Sequence, residues 1–283
     1  AALGFLMASM AANLALDLIF VARIHWGIAG EARATVLAQT LAAVCCQVYL
    51  RRRFSHLVFR RTDMGYDSRL LGRIVRFSLV SALHMCSLYV GKLLVQGTVN
   101  GLGAGAITAY TAATRVEGFA NSFGDSGAAS MSVFTGQNTG AGDARRSRAG
   151  FFTGERLLAV LGLVMSALMI AGAVPVLTLV LPEGSGEAVF SEARGYLRLV
   201  ACFYLFNFLG SGMVGWFQGR GLVNLPAMGA AGHITVRVVL SALLAPRMGL
   251  PAVALDTGLG WAGVVSVWSF PLRRDLRKAA SES

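Results

Sequence analysis

Eight long apolar runs follow one another along the chain, near Ala1–Val21, Ala32–Leu50, Ile74–Val99, Ala104–Phe134, Leu157–Leu181, Tyr196–Trp216, Ala227–Ala245 and Pro251–Phe270. A helix of ~20 apolar residues crosses the hydrocarbon core of a bilayer, so each run predicts a transmembrane helix. The runs are continuous and do not alternate with period two, which argues against a membrane β-barrel. The fourth is the weakest by hydropathy, because Arg115, Glu117 and Asp125 interrupt it. The pattern predicts an all-α membrane protein with eight transmembrane helices.

The gaps between the runs alternate in chemistry. Of 25 Lys and Arg residues, 17 fall beside alternate gaps: Arg51, Arg52, Arg53, Arg60, Arg61, Arg69, Arg73 and Arg76, then Arg145, Arg146, Arg148 and Arg156, then Arg220, then Arg273, Arg274, Arg277 and Lys278. The intervening gaps are short and neutral or acidic, such as Pro182–Glu192. Basic loops stay in the cytoplasm, so the segments Arg51–Arg73 and Gly136–Arg148 are expected inside and Pro182–Glu192 outside. The net charge of +11 is thereby accounted for by helix ends at cytoplasmic headgroups, and it gives no argument for a nucleic-acid partner.

Composition agrees. Hydrophobic residues make up 55% of the chain and charged residues 14%, where a soluble domain carries about 25% charged. The 34 glycines suit close helix packing in lipid. Cys45, Cys46, Cys86 and Cys202 fall inside the runs, with no disulfide framework and no metal-ligand spacing. The chain opens within an apolar run without a Met, as expected of a fragment or of a mature piece of something longer.

A repeat relates the ends of the chain. Asn13 and Asp17 correspond to His233 and Arg237 at an offset of 220 residues, and Gly27, Thr35 and Arg51 to Gly249, Thr257 and Arg273 at an offset of 222. Both segments run the same way relative to the membrane. The repeat is therefore parallel, with its axis along the membrane normal. With halves of about 221 residues, residues 1–53 are the last two helices of a first bundle. Residues 54–73 are a cytoplasmic linker, read as a solvated connection in preference to a surface amphipathic helix. Residues 74–283 are a complete six-helix bundle, and four helices are expected upstream of residue 1.

An ionisable group at bilayer depth costs roughly 2.5–3.5 kcal/mol even on insertion scales, so each polar residue inside a run needs a reason. Asn13 and Asp17 share a helix face at i, i+4, and Thr35 lies on the next, antiparallel helix. Their oxygens suit a small hard cation or an interhelical hydrogen-bond clamp. Glu117, Asn121 and Asp125 form an i, i+4, i+8 stripe on the fourth helix. The stripe either lines a central substrate cleft or forms an interhelical polar network. His84 and Lys92 lie in the third run, where Lys92 can neutralise a carboxylate of the next helix or snorkel outward. Asp256 is placed to pair with Arg237 of the preceding helix, and His233 reads as a packing histidine. Gly136–Gly142 lacks the Gly-Lys-Ser/Thr ending of a phosphate loop. It reads as a tight turn with Gln137 and Asn138 as caps. Pro175, Pro226, Pro251 and Pro271 are expected at bends. No nucleophile–base pair or metal-ligand set appears, so an enzyme is not expected.

Several segments resemble the multidrug and toxic compound extrusion (MATE) transporters. Asn13-Leu-Ala-Leu-Asp17-Leu-Ile-Phe20, Gly27-Ile-Ala-Gly30 and Ala34-Thr35-Val-Leu-Ala-Gln39 are similar to that family's fifth and sixth helices. Gln96-Gly-Thr-Val-Asn100-Gly-Leu-Gly and Ala112-Ala-Thr-Arg115-Val-Glu117 are similar to the seventh and eighth. Thr135-Gly-Gln-Asn138-Thr-Gly-Ala-Gly142 resembles the family's most specific cytoplasmic loop, and Phe217-Gln-Gly-Arg-Gly221 with Pro226 the loop before its eleventh helix. The resemblance runs the length of the chain in order. It implies the fifth to twelfth helices of a secondary active efflux transporter of the inner (plasma) membrane. Such a protein exchanges amphipathic or cationic organic compounds for Na⁺ or H⁺, without a cofactor and as a monomer. It also implies that Asn13, Asp17 and Thr35 help form a cation site with an acid from a helix this chain does not contain. The carboxylate that many family members carry in the seventh helix is absent between Phe77 and Val99. Two other expectations stand beside this one. A lipid or polyprenyl-linked precursor flippase of the same superfamily would use Lys92, Arg115 and Arg237 for phosphate headgroups. A non-transporting truncated remnant would do neither.

Overall fold

A computed structural model describes residues 2–54 and 65–281. Every regular element among them is helical. They are α1 (Ala2–Asp17), continued by a π-helical segment Leu18–Arg23, then α2 (Gly27–Arg53), α3 (Ser68–Asn100), α4 (Ala104–Gly140) and α5 (Ala144–Ala171). They continue with α6 (Ala173–Val180), α7 (Glu187–Ala201), α8 (Tyr204–Gly219), α9 (Asn224–Met248) and α10 (Leu250–Ser281). Six single helices are long and apolar enough to cross a bilayer, namely α1 with its π continuation, α2, α3, α5, α9 and α10. A seventh candidate is the α7–α8 pair, bent by 51°.

These boundaries revise the expected spans in three places. α4, with 37 residues, is long enough to cross, but it carries Arg115, Glu117 and Asp125 among many small polar residues and is not an apolar span by composition. The run 157–181 begins earlier, at Ala144, and breaks at Gly172, whose N–H closes on the Leu168 carbonyl at 2.7 Å before the short α6. The run 196–216 is two helices that meet at Cys202–Phe203, where the Phe203 N–H bonds the Val200 carbonyl. The expected linker also shortens. α3 begins at Ser68, six residues before the expected span, since the flexible stems of Arg69 and Arg73 let the helix run on past the hydrocarbon. Of the rest of that linker, residues 55–64 lie outside the described residues.

The chain divides into two compact units, Ala1–Ser68 and Arg69–Ser283. In the first, α1 and α2 form an antiparallel hairpin. Gly30, Ala34 and Ala38 are the buried residues of α2, and their small side chains let the helices close up. Ser9 Oγ donates to the Ala38 carbonyl across the pair at 3.4 Å, and Phe5 meets Tyr49 edge to face at 5.3 Å.

In the second unit, α8 packs against α4, α5 and α10. One core cluster gathers Tyr110, Tyr196, Leu197, Tyr204 and Phe208. The other gathers Phe151, Trp216, Phe217, Trp268 and Leu272. Glycines set the approach of α4, α5 and α8. A Cβ on Gly215 would stand 2.5 Å from the Ala128 carbonyl oxygen, and one on Gly219 2.7 Å from that of Ser132. The expected turn 136–142 is shorter than the motif. α4 continues to Gly140, and Asn138 bonds back to the Phe134 carbonyl at 2.7 Å instead of capping. The cap is Asp143, whose carboxylate accepts the Arg146 N–H at 2.8 Å. Pro175, Pro226 and Pro251 occupy first turns of α6, α9 and α10, where a missing N–H costs nothing.

Candidate functional site

The first candidate set lies within the α1–α2 hairpin. Asn13 Nδ2 donates to Thr35 Oγ1 at 3.3 Å, and the same hydroxyl donates to the Glu31 carbonyl at 3.0 Å. Asp17, one turn along the same face, is the last residue of α1 before the helix widens to π geometry. Its Oδ1 is buried and has no hydrogen-bond partner among the described residues. This wider segment closes the first helix at its C-terminal end, just before the turn into α2. Here it shifts the register of the chain just past Asp17. His25 takes a left-handed conformation, φ 62°, at the end of that segment. The hairpin therefore brings two of the three expected residues into contact and leaves the carboxylate beside them with an open oxygen.

The second set, on α4, is graded in burial. Glu117 is buried, Asn121 half-buried and Asp125 exposed. Tyr204 Oη donates to the Glu117 carbonyl at 3.4 Å, and Asn207 Nδ2 donates to Asn121 Oδ1 at 2.8 Å. Glu117 Oε1 and Tyr196 Oη make no hydrogen bond of normal geometry among the described residues. The stripe thus joins an interhelical network at Glu117 and Asn121, and Asp125 alone of the three is open to the surroundings.

Arg237 and Asp256 do pair, with Nε to Oδ1 at 3.6 Å. Tyr110 Oη accepts from Arg237 Nη2 at 3.5 Å. Asp256 is fully buried; its Oδ2 accepts from Ser241 Oγ, and Thr257 Oγ1 lies 3.2 Å from the Oδ1 that faces Arg237. His233 packs on Gly260, where a Cβ would collide with its ring. Lys92 is exposed, its ammonium 5.4 Å from the Tyr89 ring centroid. His84 is buried.

Two polar features escaped the sequence reading. Glu155 on α5 has both carboxylate oxygens buried, without a hydrogen-bond partner among the described residues, and pressed against Gly212 of α8. A span placed at 157–181 left it in a loop. Asp275 on α10 accepts from Trp216 Nε1 at 2.9 Å and from Arg220 Nε at 3.2 Å. It stands inside the basic run Arg273–Lys278, which reads as solvated. No group of three or more His, Cys, Asp or Glu side chains capable of holding a metal occurs among the described residues.

The MatE family model matches residues 81–243, more than half of the chain. A probable multidrug resistance protein of Bacillus subtilis, YoeA, is 28% identical over 160 residues, 56% of this chain and 35% of that protein. An uncharacterised membrane protein of the same organism, YabM, is 30% identical over 119 residues, 42% of this chain and 21% of that protein. The matched stretches thus span about a third or less of these relatives. Among solved structures, an outward-facing multidrug resistance MATE family transporter of the MOP superfamily superposes with a TM-score of 0.90 at 18% identity. A MOP superfamily transporter from Pyrococcus furiosus, described by the reverse polarity of its binding pocket, superposes with a TM-score of 0.88 at 17% identity. Each match covers 98% of this chain and 62% of the other. At such identities the likeness is one of fold.

Proposed function

Because the chain belongs to the MatE family, we propose that it works as part of a secondary active efflux transporter, carrying amphipathic or cationic organic compounds outward in exchange for Na⁺ or H⁺. It is a multi-pass membrane protein, placed by this reading in the plasma membrane. α4 serves as an eighth span beside the six apolar helices and the bent α7–α8 pair. Its polar residues then face protein or water rather than lipid. The reaction is transport, with no covalent step.

One observation carries the reading: the open Oδ1 of Asp17, one turn from the Asn13–Thr35 pair. A carboxylate at bilayer depth without a donor is costly. A cation or a proton bound there removes the cost. If that ligand binds one of two alternating-access states better than the other, it shifts their populations by its differential affinity. A compound bound in the cleft, with Asp125 on the open part of its polar stripe, biases the same equilibrium, and the two bindings are then coupled. The flippase alternative loses one of its three cations, because Arg237 is engaged by Asp256 and Tyr110 inside the second unit.

The test is Asp17→Asn, which keeps the shape and removes the charge. Ion-driven uptake of a fluorescent organic cation into inverted membrane vesicles should vanish, while equilibrium binding of that cation is retained. Uptake at the unmodified rate would return Asp17, Asn13 and Thr35 to the role of a helix clamp.

A further inference from the structure

The chemistry left unused by transport lies at the basic end of the second unit. Along the first two turns of α5, Arg145, Arg148, Ala149 and Phe152 fall on one helix face at i, i+3, i+4 and i+7. Together with Ala279 and Ala280 at the end of α10 they line a recess of about 290 Å³. Its walls divide by chemistry. Two exposed guanidinium groups stand toward the start of α5. Deeper along the helix lies an apolar surface, with Phe152 42% exposed and Ala279 buried. The Arg148 guanidinium carbon is 5.7 Å from the Phe152 ring centroid.

Neither arginine has an acidic partner among the described residues. Among the described residues, Asp143 and Asp275 are engaged elsewhere. Asp143 caps α5 through the Arg146 N–H, and Asp275 holds Trp216 and Arg220. Arg220 pairs with Asp275, and Arg237 with Asp256. Two adjacent cations with no acidic partner among the described residues, beside an exposed aromatic ring, are complementary to a molecule with a phosphate at one end and hydrocarbon at the other. The recess lies where the charge asymmetry of the chain puts the cytoplasmic leaflet, whose surface carries anionic lipid.

We propose that this recess is a binding site for an anionic phospholipid of the cytoplasmic leaflet, with its phosphodiester between Arg145 and Arg148 and its first methylene groups on Phe152, Ala149 and Ala280. A guanidinium meets a phosphate through two parallel N–H···O bonds. The two arginines, one turn apart, can therefore grip one headgroup from both sides. The lipid would bridge the start of α5 and the end of α10 and fasten them at the membrane surface. This site is independent of the coupling site at Asp17.

The experiment measures the melting midpoint of the purified chain in neutral detergent against added phosphatidylglycerol, phosphatidylcholine and inorganic phosphate. Phosphatidylglycerol should raise the midpoint in a saturable way, and the other two should not. Arg145→Gln/Arg148→Gln should weaken the apparent affinity by roughly tenfold per arginine, as expected for charge-assisted hydrogen bonds. Ala149→Trp fills the recess while keeping both charges, and it should abolish the shift. Arg194→Gln/Arg198→Gln removes the same charge from α7 and should leave it intact. Should the double glutamine variant not fold, the tryptophan variant decides alone. The proposal is overturned by an unchanged shift in either recess variant, by an equal shift with phosphatidylcholine, or by inorganic phosphate acting as well as the lipid, which would mark a plain anion site.

Discussion

The hairpins α1–α2 and α9–α10 use one backbone device with opposite chemistry. Each turns on a glycine of positive φ at matched positions of the repeat, Gly27 at 55° and Gly249 at 67°. Each second helix then carries a threonine whose hydroxyl bonds the carbonyl four residues back, Thr35 to Glu31 at 3.0 Å and Thr257 to Val253 at 2.7 Å. At the position facing that threonine's helix the two part. The first hairpin has Asp17, with an open carboxylate oxygen. The second has Arg237, closed onto Asp256 and Tyr110. A buried carboxylate needs a counter-charge. The second hairpin contains its own, as a guanidinium on the neighbouring helix. The first shows none for Asp17 among the described residues, and on the proposed reading takes an exchangeable one. On the proposed reading, duplicated geometry with one copy internally neutralised would confine ion coupling to the half that holds Asp17.

The largest expected effect tests the open copy. Asp17→Asn should lower ion-driven uptake in vesicles to background while leaving organic-cation binding in place, whereas Arg237→Gln should not change which ion drives transport. A shift of ion preference in the arginine variant would break the asymmetry.

Next in size comes the stability of the closed copy. Arg237→Met leaves Asp256 fully buried without its cation, and removing one partner of a buried pair costs about 3–5 kcal/mol. Unfolding of the purified protein in detergent should show that loss. Arg237→Met/Asp256→Leu should recover most of it, because the remaining group is then apolar. No recovery in the double variant would mean that the cost lies in packing around Tyr110.

The turns should differ in a smaller way. Gly249 has φ 67° and ψ −147°, a region open to glycine alone, whereas the φ of Gly27 lies in the range that Asn tolerates. Gly249→Asn should cost about 1–3 kcal/mol and Gly27→Asn much less, read as melting midpoints of the two variants.

The hydropathy runs made most of this helical frame legible, because lipid demands long apolar segments with internal hydrogen bonding. It was least legible where polar residues face protein. α4 hides Glu117 and Asn121 against α7 and α8, so its composition understates it as a span. The break at Cys202–Phe203 has no proline or glycine to announce it. The Arg237–Asp256 pair could be read from spacing on antiparallel helices, as could the Asn13–Thr35 contact. Glu155 and Asp275 could not. Each sits among arginines that look like loop, and only tertiary packing turns them toward Gly212 and Trp216.

The smallest effect is the one that separates a clamp from a ligand set. Thr35→Val keeps the side-chain shape and removes the hydroxyl that accepts from Asn13 and donates to Glu31. The Glu31 carbonyl lies in helix α2 and keeps its backbone partner, and Asn13 is only half-buried. The loss is therefore that of one ordinary hydrogen bond, about 0.5–1.5 kcal/mol. If Thr35 serves only as a clamp, that is the whole effect, and it is the same at every Na⁺ concentration and pH. If its oxygen also holds the coupling ion, the wild-type hairpin gains stability as the ion is added, following the occupancy of the site. Thr35→Val then flattens that dependence, while Thr35→Ser, which restores the oxygen, brings it back. Melting midpoints of the three proteins across a Na⁺ series and a pH series decide between the two. Parallel curves for all three would leave Asn13 and Thr35 as a clamp and Asp17 as the only ion-binding side chain of the hairpin.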